Sequence, residues 1–246
     1  MRWKCTVAYD GTGFEGWQAQ RGGNTIQQFL ERRLGFLLGS PVRIHGSGRT
    51  DSGVHAVGQV FHFDGEWRHG AEKLLKALRT GLPEAILVTA AEAVPDAFHA
   101  RSSATGKRYL YRFFEGDAPP FEVRYCHSLG YRRVDHERMN EAARRLLGRH
   151  DFSAFGANRR DDSEENPVKD LRLLEVTREG PRLTLATEGS GYLYKMVRSL
   201  AGCLLDVGLG KLSPDAAEAI LHGRERTALV VTAPARGLTL ERVDYD

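Results

Sequence analysis

Two kinds of apolar period alternate along this chain in a fixed order, and the order occurs twice. In the first half, Trp3, Cys5, Val7 and Tyr9 alternate with polar or small residues, the period-two signature of a strand, which ends at "DGTG". Ile26, Phe29, Leu30, Leu34, Leu37 and Leu38 then recur at helical spacing, with Asn24 as the expected N-cap and Gly39 as the expected stop. A short strand at 42–44, a glycine-rich loop, a strand in "AVGQVFHFDG", a helix in "AEKLLKALRTGLP" and a strand in "AILVTAAEAV" complete this half.

The second half repeats the order loosely. "KRYLYRFFEG" reads as a strand with Tyr109, Tyr111 and Phe113 on one face, and Met139, Ala142, Ala143, Leu146 and Leu147 mark a helix. "LRLLEVTRE" and "PRLTLATEG" read as a hairpin, "YLYKMVRSLAGCLLDVG" as an apolar helix, and "GLTLERVDYD" as a closing strand. Ser213 caps, and Pro214 opens, an additional short helix around residues 216–221. The expected fold class is therefore α+β, two ferredoxin-like βαββαβ units with a mixed, mainly antiparallel central sheet and a cleft between the halves. The junction falls in "FHARSSATGKR", dividing the chain into an N-terminal half, 1–103, and a C-terminal half, 104–246. The nearly apolar-free "GANRRDDSEENPVKD", Gly156 to Asp170, reads as a long loop, solvated surface in the first instance and a binding flap in the second.

Composition narrows the classes. With 41% hydrophobic and 27% charged residues the chain is globular rather than disordered. No apolar run approaches bilayer length, and "MRWKCTVAYDG" lacks the apolar core of a signal peptide, so no membrane role and a cytoplasmic location are expected. Cys5, Cys126 and Cys203 are dispersed and odd in number, which fits neither a disulfide framework nor a zinc site. The nine histidines form no HExxH and no Cys–His spacing, so no metal is expected. Net charge is +3, and 28 of the 35 basic residues are arginine. Arginine forks suit phosphate, although a base-composition or habitat bias gives the same excess.

The loop "HGSGRTDSGVHAVGQ" carries the densest chemistry. It is no dinucleotide loop, because Asp51 stands where glycine is required, and no triphosphate loop, because Val54 and His55 replace the lysine and the hydroxyl residue. It is no hydrolase elbow, because Thr50 occupies the serine position. What remains is Asp51 between Arg49 and Ser52. It is either a turn-capping side chain or a fixed carboxylate that attacks an electrophilic carbon or stabilises a developing positive charge.

Here the residues become recognisable: "GSGRTDSGVHAVGQ" resembles the signature of the tRNA pseudouridine synthase A family. "FHARSSATGKRYLYRF", "HDFSAF" and "GSGYLYKMVRSLAGCLLDVGLGKLSP" resemble further family segments, and "AYDGTGFEGWQAQ" and "APARGLTLERVDY" fit in order at the two ends. The resemblance spans essentially the whole chain. It implies isomerisation of uridine to pseudouridine at positions 38, 39 and 40 of the tRNA anticodon arm, with no cofactor, no obligate protein partner and a homodimeric assembly. The family's catalytic aspartate maps onto Asp51, its active-site aromatic onto Tyr109, and the arginine that pairs with the catalytic carboxylate onto Arg198. Arg49 corresponds to the arginine implicated in extracting the nucleotide. Leu204 contributes either to an apolar wall over the uracil or simply to the core. Arg101, Lys107, Arg108 and Lys195, beside the motifs, and Arg159 and Arg160, in the long loop, are candidates for backbone phosphates.

Two other classes remain open on sequence. A catalytically silent RNA chaperone on the same fold would not need Asp51, Tyr109 and Arg198 together. A carboxylate-dependent nucleoside or sugar hydrolase wants a second carboxylate, which Asp151, Asp161 or Asp162 supplies.

Overall fold

The computed structural model describes residues 1–157 and 165–246. The segment 158–164, which holds Arg159, Arg160, Asp161 and Asp162, lies outside the described residues. The described chain is α+β, with ten strands, mostly antiparallel, and five α-helices. It divides into two compact units: Met1–Thr105 with Thr239–Asp246, and Gly106–Leu238.

The first unit runs β1 (Arg2–Tyr9), α1 (Ile26–Leu38), β2 (His45–Gly46), β3 (His55–Asp64), α2 (Gly70–Arg79) and β4 (Ile86–Val94). β1 lies antiparallel between β3 and β4, and every second residue of it is buried, which places Trp3, Cys5, Val7 and Tyr9 in the core as the alternation requires. Ile26, Leu30 and Leu34 form the buried stripe of α1, and Leu74 and Leu78 that of α2. Gly39 ends α1 in a left-handed conformation, φ 69°, as expected of a C-cap glycine. The N-cap is Thr25, one residue beyond the expected Asn24: Asn24 turns its amide to the Gly13 carbonyl instead (2.6 Å). The expected strand at 42–44 is absent because Ile44 finds its backbone partners on helix α1. Its N–H donates to Glu31 and its carbonyl accepts from Gln27, and strand pairing is delayed to His45 and Gly46.

The second unit begins with most of β5 (Ala104–Phe114) and continues through β6 (His127–Ser128), α3 (His136–Arg145), β7 (Gly148–Asp151), β8 (Val168–Glu179), β9 (Arg182–Gly189), α4 (Met196–Gly208) and α5 (Pro214–Gly223). β5, β9, β8 and β7 are neighbours in that order and antiparallel throughout. The chain's last strand, β10 (Leu238–Tyr245), runs parallel to β3 through Thr239 and Leu240, so its residues from Thr239 onward belong with the first unit. Ser213 caps α5 and Pro214 stands in its first turn.

Two boundaries differ from the sequence pattern for local reasons. β8 starts at Val168, inside the stretch expected to be loop, because Gly148–Asp151 forms an antiparallel partner for it. The apolar helix starts at Met196 rather than Tyr192, because Lys195 adopts φ 61°, a left-handed conformation through which a right-handed helix does not continue. No helix among the described residues is long and apolar enough to cross a membrane. All three cysteines are free and buried.

Candidate active site

In the first unit, Asp51 sits on a turn that closes from the Val54 N–H to the Asp51 carbonyl (3.1 Å). Gly53, its third residue, takes φ 77°, the positive value a type II turn requires there. The turn is held from two directions. From the strand that follows it, Gln59, fully buried, accepts from the Ser47 hydroxyl (2.7 Å) and donates to the Gly48 carbonyl (3.0 Å). From the segment after β1, the Trp17 N–H donates to the Thr50 carbonyl (3.0 Å). The Tyr9 hydroxyl meets Thr50 Oγ1 (2.8 Å), and the Ser52 hydroxyl donates to the Phe14 carbonyl (2.8 Å).

Gly16 makes this approach possible. A Cβ there would lie 2.6 Å from the Thr50 carbonyl oxygen, and its φ is 91°. The "AYDGTGFEGWQ" segment is thus the clamp of the Asp51 loop. The Asp51 backbone is fixed on both sides while its side chain stays half-buried. Arg49 is exposed, and its Nε donates to Gln18 (3.1 Å), another residue of the clamp.

Arg101 lies on the turn after β4, which two histidines hold. Ala100 N–H donates to His62 Nδ1 (3.1 Å), and Arg101 and Ser102 N–H donate to His99 Nδ1 (3.1 and 3.3 Å). Both imidazoles accept, so both are neutral at Nδ1. Burial, with the charges of His99, Arg2 and His45, pushes His62 down to about 4, and burial, with the charges of His45, Arg2 and Arg101, draws His99 below its ordinary value.

In the second unit, Tyr109 stands on β5 opposite Thr187 of β9 and is nearly buried. Tyr192 packs edge-on against it, ring centroids 5.2 Å apart at 86°. The Tyr192 hydroxyl is shared with Thr187 Oγ1 (3.1 Å) and reaches the Lys107 carbonyl (3.4 Å). Burial raises the Tyr192 phenol far above its usual range, so it stays protonated. Lys107 and Arg108 precede Tyr109 on β5, with Arg108 4.0 Å from Glu188 on β9.

Arg198 lies in the first turn of α4. Its Nε donates to the Ala233 carbonyl (2.8 Å), and its own carbonyl accepts from Ala233 N–H (3.0 Å). Its charge also acts on the Tyr111 phenol, which donates to the Pro234 carbonyl (2.9 Å). Lys195, at the head of the helix, places its ammonium 4.9 Å from the Tyr194 ring centre. Leu204 is fully buried in the middle of α4.

Each unit thus carries its share of the expected residues on well-anchored backbone. The sequence reading missed the anchors, Tyr9, Gly16 and Gln59 around Asp51 and Tyr192 beside Tyr109, because their function appears only once distant segments meet. The first unit thus offers a carboxylate on a fixed turn, the kind of group that serves nucleophilic or charge-stabilising chemistry, and the second, taken by itself, offers an aromatic ring on a strand and a guanidinium in the first turn of a helix.

The comparison with known proteins agrees with that class. The tRNA pseudouridine synthase family matches residues 6–101 and 142–246. The chain belongs to this family, and with it to the isomerases. It is 44% identical over 249 aligned positions to the tRNA pseudouridine synthase A of Bacillus subtilis (strain 168), covering 100% of both chains. The enzyme of the same name from Bacillus licheniformis is 46% identical over the same full span. That of Paramagnetospirillum magneticum is 42% identical over 99% of this chain and 95% of its own.

Proposed function

We propose that this chain isomerises uridine to pseudouridine in tRNA, at positions 38, 39 and 40 of the anticodon stem-loop, with Asp51 as the catalytic carboxylate and no cofactor. The observation that carries the reading is the fixation of Asp51: hydrogen bonds at Thr50, Ser52 and Val54 set its backbone while the side chain keeps partial access to solvent. A carboxylate that only capped a turn would need no such clamp from a segment some 35 residues away (Trp17 to Asp51). Fixing the nucleophile before substrate arrives removes reorganisation from the chemical step.

The reaction breaks the bond from the sugar carbon to the ring nitrogen and rejoins the same base through carbon. Asp51 acts either by adding to the sugar carbon or the ring, or by stabilising the cleaved sugar and taking up the proton released at the ring carbon. The uracil must turn over between the two bonds without escaping. Tyr109 supplies a face on which it stacks, Leu204 belongs to the apolar surroundings, and Arg198 is the guanidinium that serves the carboxylate. Taking a stacked or paired uridine out of its helix costs a few kcal/mol. Arg49 fills the space the base leaves, and phosphate contacts by Arg101, Lys107, Arg108, Lys195, Arg159 and Arg160 offset the cost. Recognition rests on the shape and backbone of the arm, and a homodimer presents two copies of the site to tRNA.

Incubation with unmodified tRNA, followed by mapping of pseudouridine at single-nucleotide resolution, tests this. Pseudouridine at 38–40, undiminished by a chelator, supports the proposal. Release of free uracil would point to a hydrolase, and binding without conversion to a chaperone; either result rejects it.

A further inference from the structure

Arg226, three residues beyond the end of α5, joins three separate segments of the second unit through one guanidinium. Nη1 donates to the carbonyls of Phe155 (3.3 Å) and Gly156 (3.1 Å) and to the Ser199 hydroxyl (2.9 Å). Nη2 donates to the Val230 carbonyl (3.0 Å) and the Thr232 hydroxyl (2.8 Å). Each of these five acceptors is neutral. This is the acceptor set of a structural fork, since a guanidinium meant mainly to balance charge sits on a carboxylate. Partial burial draws its pKa below the usual arginine value.

Two of the three segments adjoin Arg198. Phe155 ends the "HDFSAF" motif, Ser199 is the next residue along α4, and 230–232 leads directly into Ala233, the double hydrogen-bond partner of Arg198. The same strap packs closely on the helix: a Cβ at Gly202 would lie 2.0 Å from the Val231 carbonyl oxygen, a contact only glycine permits. Tyr111 anchors the strap one residue further on, at the Pro234 carbonyl. The strap is therefore pinned on either side of Ala233, by Arg226 before it and by Tyr111 after it. The Ala233 carbonyl, so placed, fixes Nε of Arg198 and with it the direction of the guanidinium.

We propose that Arg226 is a positioning residue for Arg198, acting through the 230–233 strap and Ser199 without touching substrate. The inference rests on the proposed role of Arg198. It gives the "HDFSAF" motif a purpose as well: the carbonyl of its last residue, Phe155, and that of Gly156 just after it complete the fork.

A double-mutant cycle tests it, read as kcat and KM on tRNA for Arg226→Ala, Arg198→Ala and the pair. The expected result for Arg226→Ala is a fall in kcat of at least about tenfold with KM changed less than about threefold. In the Arg198→Ala background the same substitution should cost less than threefold further, because its target is already gone. Thr232→Val, which removes one acceptor and keeps the shape, should show the same pattern at smaller size and guards against loss of folding in Arg226→Ala. Additive losses in the cycle, or a loss confined to KM, would overturn the positioning role while leaving that of Arg198 intact. Full activity of Arg198→Ala would instead overturn the role of Arg198, and this inference with it.

Discussion

The hydroxyl of Tyr9, at the end of the first strand, meets the hydroxyl of Thr50 at 2.8 Å, and Thr50 is the residue immediately before Asp51. Both side chains are buried, and burial pushes the Tyr9 phenol up to about 12, so it remains protonated throughout the working range. Tyr9→Phe leaves the Thr50 hydroxyl buried without this partner, at a cost of about 1–3 kcal/mol. Urea unfolding should show that loss, and turnover should fall by more than tRNA affinity does. A variant as stable and as active as the parent would show that Tyr9 does not hold the loop.

Gly16→Ala should be among the most harmful changes a single methyl group can make in the first unit. It places a side chain at φ 91° and 2.6 Å from the Thr50 carbonyl oxygen, so the loop must shift or the chain must strain. We expect a loss of about 2 kcal/mol or more, seen as a lowered melting temperature, together with reduced turnover in the molecules that remain folded. Gly13→Ala, where φ is 81° but no atom lies within 4 Å, serves as the control that separates backbone strain from collision.

The His62–His99 pair gives the first unit a pH-dependent stability. The folded-state pKa of His62, about 4, lies below its ordinary value of 6.5, so between these values the unfolded chain binds more protons. The contribution is complete above pH 6.5 and is lost as pH falls towards 4. Between pH 7.5 and 5 it amounts to about 2 kcal/mol for His62 alone, and His99, shifted the same way by burial, adds to it. Protonation also removes the acceptor for Ala100 N–H and frees the turn that bears Arg101. Denaturant unfolding across that range should show the slope, and His62→Gln, which keeps an acceptor but cannot titrate, should flatten it. An equal slope in the variant would assign the effect elsewhere.

Much of the fold was legible because the relevant signals are local. The alternation of Trp3, Cys5, Val7 and Tyr9, the glycine stop at Gly39 and the Ser213–Pro214 start are each set by neighbouring residues and appear where the pattern puts them. The displaced features depend on partners far along the chain. Asn24 gave up the cap for the Gly13 carbonyl, Ile44 took helix α1 as its partner, and β8 began inside the polar stretch because β7 lay beside it. The candidate site shows the same division. Asp51 stands out amid its glycines, but Tyr9 lies far ahead of the loop it holds, and Gln59, although it ends the same stretch, shows no sign in sequence of the contacts it makes. Arg226 is the extreme case: it sits in a polar run, and its acceptors are spread from Phe155 to Thr232.

The most direct measurement is pseudouridine formation in unmodified tRNA by Asp51→Asn, with tRNA affinity determined in parallel. The substitution keeps size and hydrogen-bonding capacity but removes the negative charge. Turnover should fall by at least about a hundredfold, while the dissociation constant for tRNA changes less than about tenfold, equivalent to 1.4 kcal/mol. Pseudouridine appearing at the parental rate would contradict the assignment of Asp51.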